Sequence, residues 1–304
     1  MQKFFKRIFL NPYSALIVAM IFWAGATVLV RYIRDVAPPM GLSFWRQVVA
    51  FLILFPFTFQ RIRSQFYLVR AHWKTLVLLA MLLWFGGNAL LFLALQFTIA
   101  INAAVINSVE PILIVFFAWL IFRDQFSRLQ AVGAVISLFG VLVLIASGSL
   151  EELFLLNFNK GDIIVLCAFM GWALYAVFLR KLPRELDPLV LVTILVGFGV
   201  PMLLPFYLIE TAYFKVFEFD LLTMASIFYL ATFAGAISML NWNYGLIKLG
   251  PARAGQFLHL IPAFTVVMAI TLLDEELRYF HIVGIILIGI GIYLTSRSAN
   301  TKPN

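Results

Sequence analysis

Ten apolar runs, each about as long as a bilayer is thick, dominate this 304-residue sequence. A hydrocarbon core roughly 30 Å thick takes about 20 apolar residues of helix. Lipid offers no partner for an unpaired backbone amide, and the alternation typical of a β-barrel strand is absent, so each run is expected to be helical. The sequence predicts an all-α integral membrane protein with ten transmembrane helices, at 14–32, 40–60, 75–97, 100–122, 128–147, 161–179, 188–209, 222–246, 252–272 and 279–296.

The composition excludes a soluble globular protein. Hydrophobic residues make up 63% of the chain and charged residues only 12%, too few to cover a soluble surface of this size. The net charge of +8 does not indicate nucleic-acid binding, because the basic residues are spread over many loops and form no single face. The one cysteine, Cys167, rules out an internal disulfide. The first run is too long for a signal peptide and lacks a cleavage site, so we expect it to be retained.

The basic residues of the loops predict the orientation. With the N-terminus in the cytoplasm, cytoplasmic segments carry sixteen Lys and Arg residues and the opposite side carries five. The sixteen are Lys3, Lys6, Arg7, Arg61, Arg63, Arg70, Lys74, Arg123, Arg128, Arg180, Lys181, Arg184, Lys248, Arg253, Arg297 and Lys302. The five are Arg31, Arg34, Lys160, Lys215 and Arg278. This positive-inside bias of about three to one predicts that both termini are cytoplasmic.

The two halves of the sequence repeat one another. An offset of 149 places Trp23 on Trp172 and Pro56 on Pro205, and an offset of 151 places Pro111 on Pro262. Similarity by apolar composition alone is the alternative, but prolines and tryptophans paired at fixed offsets argue against it. Five helices is an odd number, so the second repeat must enter the membrane from the opposite side. We expect two inverted five-helix repeats, at 14–148 and 161–296.

Two stretches also carry a family resemblance. They are NAAVINSVEPILIVFFAWLIFRDQFSRLQAVGAVISLFGVLVL (102–144) and RAGQFLHLIPAFTVVMAITLLDEELRYFHIVGIILIGIGIYL (253–294). Each has a proline, an acidic residue about thirteen positions later and then a glycine-bearing helix, and in this they resemble the EamA domains of the drug/metabolite transporter superfamily. The resemblance implies a ten-helix bundle without an ATPase, in a bacterial inner membrane. It also implies alternating access and export of amino acids, related metabolites or toxic analogues.

The first repeat departs from the family pattern at one point. Arg123, Asp124 and Gln125 stand where the family commonly shows a Gly-Glu pair. The second repeat, with Asp274, Glu275 and Glu276, fits the pattern better. The resemblance therefore implies the family's helix-end function more strongly after the ninth run than after the fourth.

Paired prolines predict where a binding cavity lies. Pro111 and Pro262 occupy matching positions inside the fourth and ninth runs. A proline within a helix frees a carbonyl one turn earlier, which only protein or a watered cavity can satisfy in a membrane. We predict that the two helix breaks flank a cavity, as in other inverted-repeat transporters. The alternative is a pair of structural kinks without substrate contact.

Two charged residues are expected at depth in the membrane. Glu110 lies about ten residues from the outer end of its run and Arg46 about six residues from the outer end of its own. One interpretation is a buried Glu110–Arg46 ion pair that joins two helices. The other makes Glu110 a proton site or a group that binds a substrate ammonium. The two are compatible if the pair breaks during transport.

Polar side chains within the runs are the next candidates. The amides of Asn88, Asn107, Asn241 and Asn243 need partners that lipid cannot supply, so they bind other helices, water or substrate. Asn107 lies three residues before Glu110 and shares its helix face. His259, three residues before Pro262, is either a satisfied core histidine or a proton relay. We include Asn88, Asn107, Asn243 and His259 among the candidate substrate-binding residues.

Aromatic residues predict the cavity walls. Trp23 and Trp172 are related by the repeat, Tyr175 is one turn from Trp172, and Trp242 is also internal. An aromatic-lined cavity with similar walls on two sides follows, suited to an amphipathic or aromatic substrate. The alternative is that these rings face lipid or fill packing gaps.

Small residues on the fifth and tenth runs predict close helix packing. Gly133, Ser137 and Gly140 share one helix face, and Gly284 and Gly291 repeat the pattern. These faces could meet each other or a second molecule, so the sequence is compatible with a monomer or a homodimer.

No motif indicates an enzyme. The sequence has no phosphate-cradling Walker A loop, no HExxH and no Cys/His cluster, so we expect neither cofactor nor metal nor catalytic residues. The favoured function is secondary active export of amino acids or similar small amphipathic metabolites. The alternatives are a nucleotide-sugar or drug antiporter of the same fold, a lipid scramblase, or an intramembrane enzyme.

Overall fold

The chain is described by a computed structural model for residues 11–33, 36–94, 97, 103, 106–146, 160–272 and 278–297. These residues form helices and short connections and contain no strand. The first half contains α1 (Pro12–Tyr32), α2 (Pro39–Ser64), α3 (Phe66–Ala71), α4 (Trp73–Ala80), the π-helix π1 (Met81–Ala89), α5 (Leu90–Ala94), α6 (Glu110–Phe122) and α7 (Arg128–Ile145). The second half contains α8 (Lys160–Phe178), α9 (Pro188–Tyr213), α10 (Leu221–Tyr229), the π-helix π2 (Leu230–Ile237), α11 (Ser238–Leu249), α12 (Pro251–Gln256), α13 (Leu260–Leu272) and α14 (Tyr279–Arg297).

Seven of the described helical segments are long and apolar enough to cross a membrane. They are Pro12–Val30, Pro39–Ser64, Arg128–Ile145, Lys160–Lys181, Pro188–Tyr213, Leu221–Leu249 and Tyr279–Arg297, and Glu110–Phe122 is a shorter apolar helix. Large apolar side chains such as Phe57 and Ile163 point outward, where lipid can cover them. The predicted class, a helical integral membrane protein, is confirmed. The predicted runs 75–97, 222–246 and 252–272 are composite, because a π-helix or a 3₁₀ turn interrupts each of them.

Polar side chains set where several helices begin. Asn11 accepts a hydrogen bond from the Tyr13 amide at the start of α1, and Ser127 and Gln130 form a capping box at the start of α7. Asp220 and Thr223 form a second capping box at the start of α10. The hydrogen bonds from the Thr223 amide and hydroxyl lower the pKa of the Asp220 carboxyl, because they favour its charged form.

The longest helices, α2 and α9, form a matched pair. Each has 26 residues, each has proline in its first turn, and their start points differ by the repeat offset of 149. They pack against each other and are joined at both ends. At one end, Arg61 Nη1 lies 2.8 Å from Asp187 Oδ2. At the other, the Glu210 carboxylate accepts hydrogen bonds from the backbone amides of Met40 (3.0 Å) and Gly41 (2.7 Å), which α2 itself cannot satisfy.

The glycine faces of α7 and α14 meet each other within one chain. A Cβ at Gly133 would lie 2.6 Å from the carbonyl oxygen of Gly291, and a Cβ at Gly140 would lie 2.8 Å from that of Gly284. Such backbone contact is possible only without side chains. The stripe of small residues is therefore used inside the molecule, which decides between the two contacts that the sequence left open.

Candidate functional site

A cavity of about 240 Å³ lies between helices of both halves of the chain. It is bordered by α1, α2, π1, α5 and α6 from the first half and by α8, π2, α11 and the segment before Pro262 from the second. Its lining combines tryptophan rings, small apolar residues and a few polar groups: Trp23, Thr27, Arg46, Gln47, Ala50, Trp84, Asn88, Leu91, Asn107, Glu110, Phe169, Trp172, Leu230, Ala231, Ala234, Gly235, Met239, Trp242, Leu258 and Ile261.

Two π-helices at repeat-related positions face this cavity. π1 begins at Met81 and π2 at Leu230, an offset of 149. At each, a side chain donates to a carbonyl five residues earlier. Asn88 Nδ2, within π1, donates to Leu83 (2.7 Å), and Ser238 Oγ, directly after π2, donates to Phe233 (2.8 Å). The π-turn is rare and concentrates at functional sites. Asn88 of π1 and Ala234 of π2 both line the cavity.

Tryptophan rings form much of the wall. The centroid of Trp23 lies 6.1 Å from that of Trp172 and 5.6 Å from that of Trp242. Trp23 Nε1 donates to the Ala234 carbonyl of π2 at 2.9 Å, and Trp84 Nε1 donates to the Leu195 carbonyl at 2.8 Å. These bonds satisfy the polar edge of each indole and leave its ring against the cavity.

The two charged residues face the same cavity but are not paired with each other. In the described structure the Arg46–Glu110 ion pair that the sequence suggested is absent. Arg46 Nη2 instead donates to Asn88 Oδ1 at 2.5 Å, and the guanidinium carbon lies 5.8 Å from the centre of the Trp84 ring. Glu110, with 6% of its surface exposed, borders the cavity at the start of α6. Arg46 binds Asn88 and not Glu110 because π1 places the neutral amide oxygen of Asn88 beside the guanidinium.

The prolines do not sit inside continuous helices as the sequence predicted. Pro111 is in the first turn of α6, and Pro262 is in the first turn of α13, after a 3₁₀ turn. A proline in a first turn removes no helical hydrogen bond, because that amide has no partner within the helix. Neither proline lines the cavity, but the residues just before them, Glu110 and Ile261, both do.

His259 lies outside the cavity lining in a buried network. Its Nε2 is 3.0 Å from the Ser108 carbonyl and its Nδ1 is 2.7 Å from Ser137 Oγ. A carbonyl can only accept, so Nε2 donates, and in the neutral ring Nδ1 then accepts from the serine hydroxyl. Both ring nitrogens are satisfied by protein, and the arrangement ties the start of α6 to α7 and the second half.

Tyr175 and Asn243 also lie behind the lining. The Tyr175 hydroxyl donates to Asn243 Oδ1 at 2.8 Å, and the tyrosine ring stands edge-on to Trp172 with centroids 6.3 Å apart. Asn241 Nδ2 donates to the Ile237 carbonyl one turn earlier. These residues support the wall from outside.

The sequence profile of the EamA-like transporter family matches this chain twice, at residues 11–146 and 159–297. The chain belongs to the EamA-like transporter family. It is 27% identical over 290 residues to the uncharacterized transporter YyaM of Bacillus subtilis, covering 94% of each chain. It is 23% identical over 219 residues to a probable amino-acid metabolite efflux pump of Escherichia coli, covering 69% of this chain and 72% of the other. A crystal structure 16% identical in sequence has the same fold, with a TM-score of 0.75 over 92% of this chain and 94% of its own.

The departure from the EamA pattern after α6 has a structural role. Arg123 ends α6 in the left-handed conformation (φ 56°), where glycine is the residue most often found. Asp124 Oδ2 accepts from Arg180 Nη1 at 2.5 Å, so the acidic residue joins this turn to the end of α8 in the second half. The matching residues Asp274, Glu275 and Glu276 lie outside the described residues.

The structure brings seven of the candidate residues of this EamA-like transporter to one cavity and leaves five outside its lining. The seven are Trp23, Arg46, Asn88, Asn107, Glu110, Trp172 and Trp242, and the five are Pro111, Tyr175, Asn243, His259 and Pro262. Sequence reasoning missed Thr27, Gln47, Trp84 and Phe169. Thr27 lies one turn after Trp23, a spacing that could have indicated it. The paired Gly86 and Gly235, at the 149 offset, were the available sign of the π-helices.

Proposed function

We propose that this transporter is a secondary active exporter of amino acids or related small amphipathic metabolites. The observation that carries the proposal is that a buried acid, Glu110, and a partly buried base, Arg46, face the same tryptophan-walled cavity without pairing with each other. A charge within a membrane protein is costly unless it meets an opposite charge. A zwitterionic substrate supplies both counter-charges, and its apolar part lies against the indole rings.

Cavity size also supports a small substrate. Pockets for drug-sized ligands have volumes of roughly 300–1,000 Å³, and this cavity has about 240 Å³. The name of the Escherichia coli relative, a probable amino-acid metabolite efflux pump, agrees with the proposed substrate class. The single Arg of the described lining disfavours a nucleotide sugar, whose phosphates need several cations.

We further propose ten membrane-spanning helices arranged as two inverted repeats, with both termini in the cytoplasm of a bacterial cell. Support comes from the charge bias of the loops and from the equal offsets of the α2/α9 and π1/π2 pairs. In this arrangement the Arg61–Asp187 contact lies on the cytoplasmic side and the Glu210 contact on the outer side. Alternating access requires that each contact between the halves open in turn.

Export from bacterial cells that express the protein tests the proposal. Cells loaded with an amino-acid panel, supplied as dipeptides, are followed for efflux with and without an uncoupler that dissipates the proton gradient. We expect at least one amino acid to leave faster than from cells carrying the empty vector, and we expect the uncoupler to slow it. If no panel member leaves faster although folded protein is present in the membrane, the exporter proposal is wrong.

A further inference from the structure

We propose that Arg46 is the carboxylate-binding residue of the cavity and that Asn88 holds its guanidinium ready for the substrate, so that the protein selects ligands with a free carboxylate. The inference rests on the proposed function and goes beyond it by assigning one end of the substrate to one residue. Arg46 is then a ligand-binding residue and not the ion-pair partner of Glu110.

The amide of Asn88 is fixed at both of its polar atoms. Its Nδ2 donates to the Leu83 carbonyl at 2.7 Å, so its Oδ1 is the atom that receives Arg46 Nη2 at 2.5 Å. An amide oxygen orients a guanidinium without neutralising it. Arg46 therefore keeps a full positive charge where an Asp or Glu at position 88 would cancel it.

The indole ring of Trp84, which faces the Arg46 guanidinium, is also held in place by protein contacts. Trp84 lies 5.8 Å from the guanidinium carbon, and its Nε1 is bound to the Leu195 carbonyl. Its ring packs against Gly199, where a Cβ would lie 2.8 Å from Trp84 Cδ1. Arg46 is thus positioned before any ligand arrives, which lowers the entropic cost of binding.

Two hydrogen-bond donors near the Arg46 guanidinium remain without a partner in the described structure. Arg46 Nε and Trp242 Nε1 are buried and have no hydrogen-bond partner within the described part of the chain, and both residues line the cavity. A buried donor without a partner destabilises the protein, because it has lost its bond to water. Glu110 is the only acidic residue in the described lining, and it does not bind Arg46. An anionic group of the ligand is the partner that this arrangement lacks.

The number of basic residues in the cavity lining indicates which anionic group the ligand carries. The described lining has one Arg and no Lys. One guanidinium neutralises one negative charge and binds a carboxylate in a two-pronged geometry, whereas a phosphate monoester carries nearly two charges. A carboxylate at Arg46 leaves Glu110 for an ammonium group at the other end of the same ligand.

Binding of matched acids and amides to purified protein tests the assignment. L-Phenylalanine and L-leucine are compared with phenylalaninamide and leucinamide, which keep the ammonium group and the side chain but lose the carboxylate. Quenching of tryptophan fluorescence reports binding, because four tryptophans line the cavity. We expect the wild type to bind at least one of the acids about ten-fold or more tightly than its amide.

Three variants separate charge from structure. Arg46→Gln is expected to remove the preference for the acid while amide affinity stays within about three-fold. Asn88→Asp keeps the Arg46 guanidinium but places a negative charge beside it that neutralises it. This variant is expected to weaken acid binding about ten-fold or more. Arg63→Gln, on the exposed end of the same helix, is the matched control and is expected to leave the preference unchanged.

Two results would overturn the assignment. One is that the wild-type protein binds each acid and its amide with equal affinity. The exporter proposal still stands in that case if these compounds are transported. The other is an acid preference that survives in both Arg46→Gln and Asn88→Asp. If none of the four compounds binds and no amino acid is exported, the proposed function fails together with this inference.

Discussion

Two residue pairs related by the repeat make the cavity polar on one side only. Asn107 and Leu258 occupy matching positions, as do Glu110 and Ile261, and all four line the cavity. The duplicated backbone places each pair at equivalent points, while the side chains differ in charge and polarity. Substrate choice at this scale depends on the residues that break the symmetry.

Replacement of Glu110 by Gln keeps the shape of the side chain and removes its negative charge. We expect the export rate to fall about ten-fold or more, because a hydrogen bond to a charged group contributes about 1.5–3 kcal/mol. The measurement is the initial rate of export, with Glu185→Gln on an exposed loop as control. Unchanged transport with unchanged pH dependence would show that Glu110 has no part in it.

His259 is expected to affect stability and not substrate affinity. His259→Leu removes the hydrogen bonds to Ser108 and Ser137, so the protein should lose about 1–3 kcal/mol and show a lower Tm in detergent. The KM for transport should stay the same, since His259 does not line the cavity. A raised KM with an unchanged Tm would instead place His259 at the substrate.

The elements that border the cavity were only partly predictable from the sequence. Runs of apolar residues predicted the helical membrane class and matched the seven described segments long enough to cross a membrane, because helix length follows membrane thickness. The π-helices were not foreseen, since a π-turn arises from one extra residue in a turn and has no strong residue signature. The prolines indicated the right segments but the wrong geometry, because a helix that starts at Glu110 needs no kink at Pro111.

Gly87 of π1 tests how closely these elements must fit. A Cβ at Gly87 would overlap the indole of Trp172, so Gly87→Ala should displace that ring and weaken substrate binding about ten-fold, as overpacking costs about 1–3 kcal/mol. Gly289→Ala is the control, because a Cβ there meets no atom of the described residues within 4 Å. Equal KM values in both variants would show that the position of Trp172 does not matter.

At the scale of the whole molecule, the two halves contact each other at both ends of the α2/α9 pair and along the α7/α14 pair. The repeat and its offset could be read from paired residues such as Trp23 and Trp172. The partners at the helix ends could not, because Arg61–Asp187 and Glu210–Gly41 depend on how the two halves rotate against each other. The sequence could not show that Arg46 would bind Asn88 and not Glu110 for a different reason, because the π-helix that places Asn88 beside Arg46 was not predicted.

Orientation in the membrane is testable with single cysteines. In a Cys167→Ser background, Glu185→Cys and Val216→Cys place thiols on exposed loops at opposite ends of α9. A membrane-impermeant maleimide should label the cysteine at 216 in intact cells and the one at 185 only after permeabilisation. The reverse pattern would invert the proposed topology.

Counterflow in proteoliposomes tests the central claim, that a small zwitterion crosses by alternating access through this cavity. Liposomes loaded with an unlabelled amino acid are diluted into a trace of the same labelled compound, for each amino acid in turn. The proposal predicts transient accumulation of label for at least one amino acid with the wild-type protein, and its loss with Glu110→Gln. Label that never exceeds the level of protein-free liposomes, for any amino acid, would contradict it.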